Sequence, residues 1–412
     1  MKKVWTRLII CVVLFIFILT SFSYADVTFS FEEIEETTFL EIKEDMIIET
    51  SKVTGNKWTL PYVSAHSAVL LDAQTGDILY DREAEKQRPP ASTTKILTAI
   101  LALEMAGLDE TSIVSEKADK VGESSLYLNK GNKIKLGELI EGALIRSGND
   151  ACVAIAEQTA GSLDEFIRLM NLKAVSLGAR NSNFVNPHGL PDKDHYTTAY
   201  DLAIIARYAM ANPVFSKIVA QKISTIDFEQ PQKSQIAKNT NKLLWNYSFA
   251  DGIKTGTTNA AGKCLVASAS KEGRRLICVT LNAPDRFGDA KRLLEWGFNH
   301  TEIVTMGKKG DLITSYPGYG TNIPIILGGD VLFCVEKDKK EDLRVQSEFI
   351  RGIYPPIKAG DVLGNYNILI GDKVLKKVSL KSQLDYVGSL INYSGTLDLI
   401  VEHVLDLWEK KG

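Results

Sequence analysis

The spacing of hydrophobic residues changes along the chain and predicts strands, then helices, then strands again. Residues 68–72 and 77–80 are short apolar runs separated by a glycine-containing turn, as is typical of a β-hairpin. From about 97 to 210, apolar residues recur at spacings of three and four, most clearly in 150–161 and 163–178. That period predicts a helical segment following the hairpin.

Strands are predicted to resume at Asp251. Residues 263–270 and 275–282 read as two paired strands, and 290–298 as a closing helix. The order is then sheet, helical insert, sheet, which predicts an α/β catalytic domain whose antiparallel sheet is interrupted by helices.

After about residue 302 the chain consists of short β-rich runs interrupted by glycine and proline. The clearest of these runs are 323–327, 331–335 and 368–370. Alternating short strands and turns predict a small β-sandwich that extends to about Ser382.

The first 25 residues have the features of a secretory signal peptide. Lys2, Lys3 and Arg7 precede an apolar segment, and small residues precede Asp26, where the mature chain is predicted to start. An uncleaved N-terminal membrane anchor is the alternative, because the apolar stretch approaches the length of the shorter membrane spans. Either interpretation places the protein outside the cytoplasm.

The last segment, residues 397–411, can be drawn as an amphipathic helix with Trp408 on its apolar face. Such a helix at the end of a chain is suited to lie on a membrane surface. Its polar face is acidic, however, unlike the usual basic one, so packing of the helix on the β-rich domain is the alternative.

Composition narrows the range of functions. The chain has 412 residues, enough for two or three domains. Its 48 basic and 51 acidic residues do not give the excess of positive charge that is typical of nucleic-acid-binding proteins.

The histidines are scattered without metal-ligand spacing, so neither a metal nor a cofactor is predicted. In the predicted strand pair Cys264 lies opposite Leu281, out of register with Cys278, so no disulfide is expected between these cysteines.

The strongest chemical signal is Ser92-Thr93-Thr94-Lys95 at the head of an apolar run that extends to Met105. On a helix, a spacing of three places the hydroxyl and the amine on one face, so the amine can accept the hydroxyl proton. For this, the pKa of Lys95 must fall from about 10.4 to near neutral, and burial in an apolar helix lowers it. Alone, the motif is weak, because a serine near a helix start is usually an N-cap.

Two further triplets strengthen the case. Ser147-Gly148-Asn149 follows a helix-like stretch, and Lys254-Thr255-Gly256 opens a β-rich stretch. With flanking strings such as Asn186-Pro187-His188-Gly189-Leu190, the chain resembles the penicillin-binding proteins and β-lactamases, and within them the low-molecular-mass, serine-type D-alanyl-D-alanine carboxypeptidases. The likeness extends over about residues 65 to 300.

The resemblance implies a β-lactamase/transpeptidase-like fold and an acyl-enzyme reaction on peptidoglycan stem peptides ending in D-Ala-D-Ala. Ser92 attacks the peptide carbonyl while Lys95 accepts its proton, and the same serine is acylated by β-lactam antibiotics. Ser147 relays protons to the leaving amine, and Asn149 binds the substrate amide. The oxyanion hole is formed by the backbone N–H groups of Ser92 and Thr257.

The third triplet is expected to bind the substrate. Lys254 supplies positive charge, Thr255 holds the terminal carboxylate, and Gly256 leaves room for the substrate backbone. Arg286 matches the position of an arginine that helps to bind that carboxylate, although it could equally be an ordinary surface arginine. Where close relatives have an arginine before the Leu-Leu-Trp string, this chain has Thr240, so this part of the carboxylate pocket is expected to differ. His188, in the Asn-Pro-His-Gly-Leu string, is expected to shape its loop.

Two other functions compete with this interpretation. A class A β-lactamase needs a glutamate after the second triplet, and none occurs between Glu165 and Glu229. A non-catalytic peptidoglycan-binding scaffold would not need Ser92 and Lys95.

The expected organisation combines these segments, with the protein exported to the outer face of the cytoplasmic membrane and engaged in cell-wall biogenesis. The predicted boundaries are a signal peptide at 1–25, an acidic leader at 26–60, a catalytic domain at 61–301, a β-rich accessory domain at 302–383 and a C-terminal amphipathic helix segment at 384–412.

Overall fold

The protein is represented by a computed structural model, which describes residues 60–317, 322–350 and 355–387. The predicted signal peptide, the acidic leader up to residue 59 and the C-terminal helix of 397–411 lie outside the described residues.

Helices and strands follow one another along the chain in three groups. The first part of the catalytic region contains β1 (Ser67–Asp72), β2 (Ile78–Arg82), a 3₁₀ turn (Ala91–Thr94), α1 (Lys95–Met105), β3 (Thr111–Ile113), α2 (Glu116–Asp119), β4 (Lys133–Lys135), α3 (Leu136–Glu141) and a π-helical turn (Gly142–Arg146). Its second part contains α4 (Asn149–Ala160), α5 (Leu163–Ser176), α6 (Ala199–Ala211), α7 (Pro213–Ala220), β5 (Ile223–Gln230), β6 (Lys233–Lys238), α8 (Leu243–Asn246), β7 (Ala250–Thr258), β8 (Gly262–Lys271), β9 (Arg274–Leu281) and α9 (Arg286–His300). The C-terminal region contains β10 (Thr301–Gly307), β11 (Leu312–Pro317), β12 (Asn322–Leu327), β13 (Val331–Glu336), a 3₁₀ helix (Lys337–Asp342), β14 (Leu343–Phe349), β15 (Val362–Ile370) and β16 (Lys373–Ser382).

A five-stranded antiparallel sheet in the order β2-β1-β9-β8-β7 forms the centre of the catalytic region. Its strands are apolar on both faces because helices cover both. On β1, Val69 belongs to the core shared with α1, whereas Leu70 points to the opposite core, shared with α9. The predicted hairpin and the β8–β9 pair are confirmed, and Leu265 lies opposite Thr280, in the predicted register.

The inserted helices form the core on one side of this sheet. Helix α1 is buried along its first eight residues, as its uniformly apolar sequence predicts, and the predicted helices of the middle segment appear as α4, α5 and α6. Among the described residues no single helix is long and apolar enough to cross a membrane; α6 and α7 together reach that length but are bent by 104°.

The expectation that strands resume only at Asp251 is wrong. A four-stranded sheet, β3-β4-β5-β6, lies within the segment that was predicted to be helical and just after it. Two of its strands have only three residues each, too few to show a two-residue period. In β5 only Ile226 and Phe228 are buried, so most of that strand carries no core signal.

The C-terminal region is β-rich, as predicted, and has its own apolar core. Its sheets are a two-stranded one, β10-β13, and a five-stranded one, β11-β12-β16-β15-β14. Phe333, Ile368 and Leu380 are among the residues of that core. The four cysteines of the described residues are buried and free.

Candidate active site

The serine of the first triplet lies in the 3₁₀ turn that leads into α1. Two threonine hydroxyls hold this turn: Thr93 Oγ1 donates to the Pro90 carbonyl at 2.7 Å, and Thr94 Oγ1 donates to the Ala91 carbonyl at 2.9 Å. The two threonine side chains of the motif therefore stabilise the turn itself, whereas the Ser92 side chain faces Lys95.

Lys95 is completely buried and has three polar neighbours. Its Nζ lies 2.9 Å from Ser92 Oγ, 2.7 Å from Asn149 Oδ1 and 2.7 Å from the His188 carbonyl oxygen. Burial is the main cause that lowers the pKa of Lys95 to about 8, while the carboxylates of Asp150 and Glu123 act against it.

The hydrogen-bond partners of Lys95 Nζ match those of a neutral amine. A neutral amine has two N–H groups and one lone pair. Asn149 Oδ1 and the His188 carbonyl oxygen can only accept, so they use both N–H groups. The lone pair then faces the Ser92 hydroxyl, which can donate a proton. This geometry would allow Ser92 to act as a nucleophile with Lys95 as its base.

The second triplet lies where the chain passes from the π-helical turn into α4. Ser147 has a left-handed backbone with φ of 72°, and Asn149 is the first residue of α4. Asn149 Nδ2 donates to the Gly122 carbonyl at 3.1 Å, which turns the amide oxygen toward Lys95. The left-handed backbone at Ser147 thus allows the Ser147 and Asn149 side chains to lie in the same site.

The next residue of α4, Asp150, holds the loop beside the site. Its buried carboxylate accepts hydrogen bonds from Ser125 Oγ at 2.5 Å, from Leu126 N at 3.0 Å and from Leu128 N at 3.1 Å. The sequence alone does not single out Asp150, because an acidic residue in the first turn of a helix is common.

The third triplet belongs to β7, which ends the central sheet on the side of the site. Lys254 is buried, and its Nζ donates to Ser147 Oγ at 3.0 Å and to the Thr255 carbonyl at 3.0 Å. Burial, followed by repulsion from Lys95, holds the pKa of Lys254 well below its ordinary value. The second and third triplets therefore meet directly.

At Gly256 the neighbouring segment leaves no room for a side chain. A Cβ on this residue would lie 2.8 Å from Ser92 N and 2.9 Å from the Ala91 Cβ. It would collide with the 3₁₀ turn that carries Ser92, called the nucleophile turn below. The glycine therefore permits β7 to pack closely against the segment that carries Ser92.

Arg286, the first residue of α9, reaches across to β7. Its Nη1 donates to the Gly256 carbonyl at 2.7 Å, to Thr257 Oγ1 at 2.9 Å and to the Cys264 carbonyl at 3.2 Å. Arg286 is therefore not a free surface arginine but lies beside the end of β7 that carries Gly256 and Thr257. At the same end, Thr255 Oγ1 lies 2.6 Å from Thr240 Oγ1.

Two histidines near the site are neutral. Burial lowers the pKa of His188 to about 3 and that of His195 to about 4. His195 Nδ1 accepts from Val185 N, so its Nε2 carries the proton and donates to Thr94 Oγ1. The contribution of His188 to Lys95 is a backbone carbonyl, which no side-chain motif can reveal.

Two family profiles and several curated proteins match this chain. The D-alanyl-D-alanine carboxypeptidase family profile matches residues 54–285, and that of the penicillin-binding protein 5 C-terminal domain matches residues 298–387. The D-alanyl-D-alanine carboxypeptidase DacF of Bacillus subtilis is 32% identical over 78% of this chain and 85% of its own length. DacA of Escherichia coli is 31% identical over 81% of this chain and 88% of its own length.

Solved structures give the same result. Penicillin-binding protein 5 from Haemophilus influenzae superposes with a TM-score of 0.73 and 29% identity, over 80% of this chain and 99% of that protein. The S216A mutant of the Streptomyces K15 DD-transpeptidase has a TM-score of 0.56 and 31% identity over 58% of this chain and 100% of that one.

Proposed function

The chain belongs to the D-alanyl-D-alanine carboxypeptidase family and is a serine-type peptidase, and we propose that it works through an acyl-enzyme on Ser92. Its substrates are peptidoglycan stem peptides ending in D-Ala-D-Ala, and β-lactam antibiotics acylate the same serine. The observation that carries the proposal is the 2.9 Å contact between Ser92 Oγ and the buried amine of Lys95.

The first half-reaction releases D-alanine. Ser92 Oγ attacks the carbonyl carbon of the last peptide bond, and its proton moves to the neutral Lys95 amine. The C–N bond then breaks as Ser147 relays the proton from the Lys95 ammonium to the departing amine, which leaves Lys95 neutral again. The ester on Ser92 remains, and D-alanine leaves.

The second half-reaction regenerates the serine. Water loses a proton to the Lys95 amine and attacks the ester carbonyl, and the Ser92 oxygen leaves with that proton, which Lys95 returns to it. In both half-reactions the backbone N–H groups of Ser92 and Thr257 stabilise the oxyanion. The packing of Gly256 against Ser92 N supports this role, because it brings β7 and the nucleophile turn together.

The end of β7 binds the substrate. Thr255 and Arg286 bind the terminal carboxylate, Asn149 binds the substrate amide, and Lys254 supports the negative charge that develops during attack. The contacts of Arg286 with the Gly256 carbonyl and Thr257 Oγ1 favour this assignment, because they place the guanidinium beside the triplet.

Labelling with a fluorescent penicillin tests the proposal. Wild-type protein should become labelled and should release D-alanine from an acyl-D-Ala-D-Ala peptide. Ser92→Ala should lose both activities with nearly unchanged melting, whereas the control Ser176→Ala, at an exposed serine of α5, should keep both. Labelling of the Ser92→Ala variant would refute the nucleophile assignment, and rapid loss of label from the wild type would indicate a β-lactamase.

The location of the enzyme is a second proposal. Residues 1–25 export the chain, and the helix of 397–411 attaches it to the outer face of the cytoplasmic membrane. Protein lacking residues 1–25 should sediment with liposomes, and further truncation before Leu397 should leave it in solution with its peptidase rate intact. Equal partitioning of the two forms would refute membrane attachment.

A further inference from the structure

Thr240 makes a contact that the three triplets do not account for. It lies in the turn between β6 and α8 and is exposed, yet its Oγ1 is 2.6 Å from Oγ1 of Thr255, which is only 5% exposed. A contact of this length between two hydroxyls is a well-formed hydrogen bond. It links the rim of the site to the side chain assigned to the substrate carboxylate.

The turn that carries Thr240 is fixed on both sides by buried asparagines. Asn239 Nδ2 donates to the Val219 and Gln221 carbonyls, and Asn241 Nδ2 donates to the Gly252 carbonyl of β7 at 2.8 Å. Because buried amides are costly to leave unpaired, these bonds hold the Thr240 backbone at a set distance from β7.

When substrate is bound, the single proton of each threonine hydroxyl determines which of Thr240 and Thr255 donates the hydrogen bond between them. A threonine hydroxyl has one proton to donate. A carboxylate can only accept, so Thr255 must donate its proton to it. Thr255 Oγ1 is then free to accept from Thr240. If Thr255 instead donated to Thr240, it would present only lone pairs to the carboxylate.

We propose that Thr240 is a positioning residue that orients the Thr255 hydroxyl and so makes the site selective for substrates that end in a free carboxylate. The inference rests on the proposed function, in which Thr255 binds that carboxylate. Donation from Thr240 also polarises the Thr255 O–H group, which strengthens its bond to an anion. The effect should therefore appear only with substrates that carry the carboxylate.

The test compares two substrates with the same acyl group. One is an acyl-D-Ala-D-Ala peptide, and the other is the corresponding acyl-D-alanine ethyl thioester, which forms the same acyl-enzyme but has no terminal carboxylate. Thr240→Val keeps the side-chain shape and removes the hydroxyl. It should lower kcat/KM for the peptide by about threefold to tenfold. For the thioester, kcat/KM should stay within about twofold of the wild-type value.

Three further variants serve as controls. Thr240→Ser keeps a hydroxyl and should restore the wild-type preference for the peptide. Thr225→Val, on β5, should change neither substrate. Thr255→Val should lower kcat/KM for the peptide by about tenfold to a hundredfold, as expected for a lost hydrogen bond to a charged group.

The outcomes separate this inference from the proposed function. If Thr255→Val lowers peptide turnover selectively and Thr240→Val does not, the role of Thr240 is refuted and the carboxylate role of Thr255 stands. If neither variant changes the preference, the carboxylate assignment itself fails. An equal loss on both substrates in Thr240→Val would show a purely structural role and would also refute the inference.

Discussion

The two halves of the site are built on different principles. The half on α1 and α4 is buried: Lys95 and Asn149 are enclosed and hydrogen-bonded to each other. The half on β7 is open at one end, where Thr257 is exposed and Arg286 is half-buried. We propose from this difference that the helical half sets the acid–base chemistry, because burial lowers the pKa of the base, and that the strand half binds the substrate carboxylate.

The largest effect is expected in the helical half. Lys95→Arg should lower peptide turnover by about a thousandfold or more, because a guanidinium cannot deprotonate near neutral pH. Release of D-alanine measures the loss. Lys217→Arg, at an exposed lysine of α7, is the matched control and should behave as the wild type.

Because the longer side chain can also disturb a buried site, Lys95→Met should be measured in parallel, together with the melting temperature of each variant. Wild-type turnover in a folded Lys95→Met protein would show that the helical half does not supply the base.

A smaller effect is expected where the two halves meet. Ser147→Ala removes the acceptor that lies 3.0 Å from Lys254 Nζ and the group proposed to pass a proton to the leaving amine. The rate of acylation should fall by about a hundredfold. Stopped-flow labelling with a fluorescent penicillin measures it, with Ser176→Ala as control. An unchanged rate would mean that the leaving amine receives its proton by another route.

The smallest effect of this series is expected at the strand half. Arg286→Gln should lower kcat/KM for the acyl-D-Ala-D-Ala peptide by about tenfold to a hundredfold, because a charged hydrogen bond to the carboxylate is lost. Turnover of the ethyl thioester should change by less than about twofold. If kcat/KM falls equally for both substrates, Arg286 stabilises β7 and does not bind the carboxylate. The two halves are then less distinct in function than proposed.

Much of this arrangement could be predicted from the sequence, because the three triplets identify the residues that form the site. Ser92, Lys95, Ser147, Asn149 and Lys254 are brought together as the order of the triplets suggested. The β8–β9 register followed from the turn position, because hairpin pairing is local.

The remaining features depend on tertiary packing. The His188 carbonyl that accepts from Lys95 is a backbone group, and the packing of Gly256 against Ser92 N joins segments far apart in sequence. Strands β3 and β4 are too short to show a periodic pattern in the sequence, and they are formed by pairing with each other and with β5. Thr240 is a visible departure in the sequence, but its contact with Thr255 cannot be read from residue type.

The central claim is that a neutral Lys95 activates Ser92, and the pH dependence of acylation tests it most directly. Burial lowers the pKa of Lys95 to about 8, so the side chain is an ammonium below that pH and a competent base above it. The second-order rate constant for labelling by a fluorescent penicillin should therefore rise with pH and reach half of its maximum near pH 8. A rate that does not vary between about pH 6 and pH 10, or that rises only near the ordinary lysine pKa of about 10.4, would contradict the account.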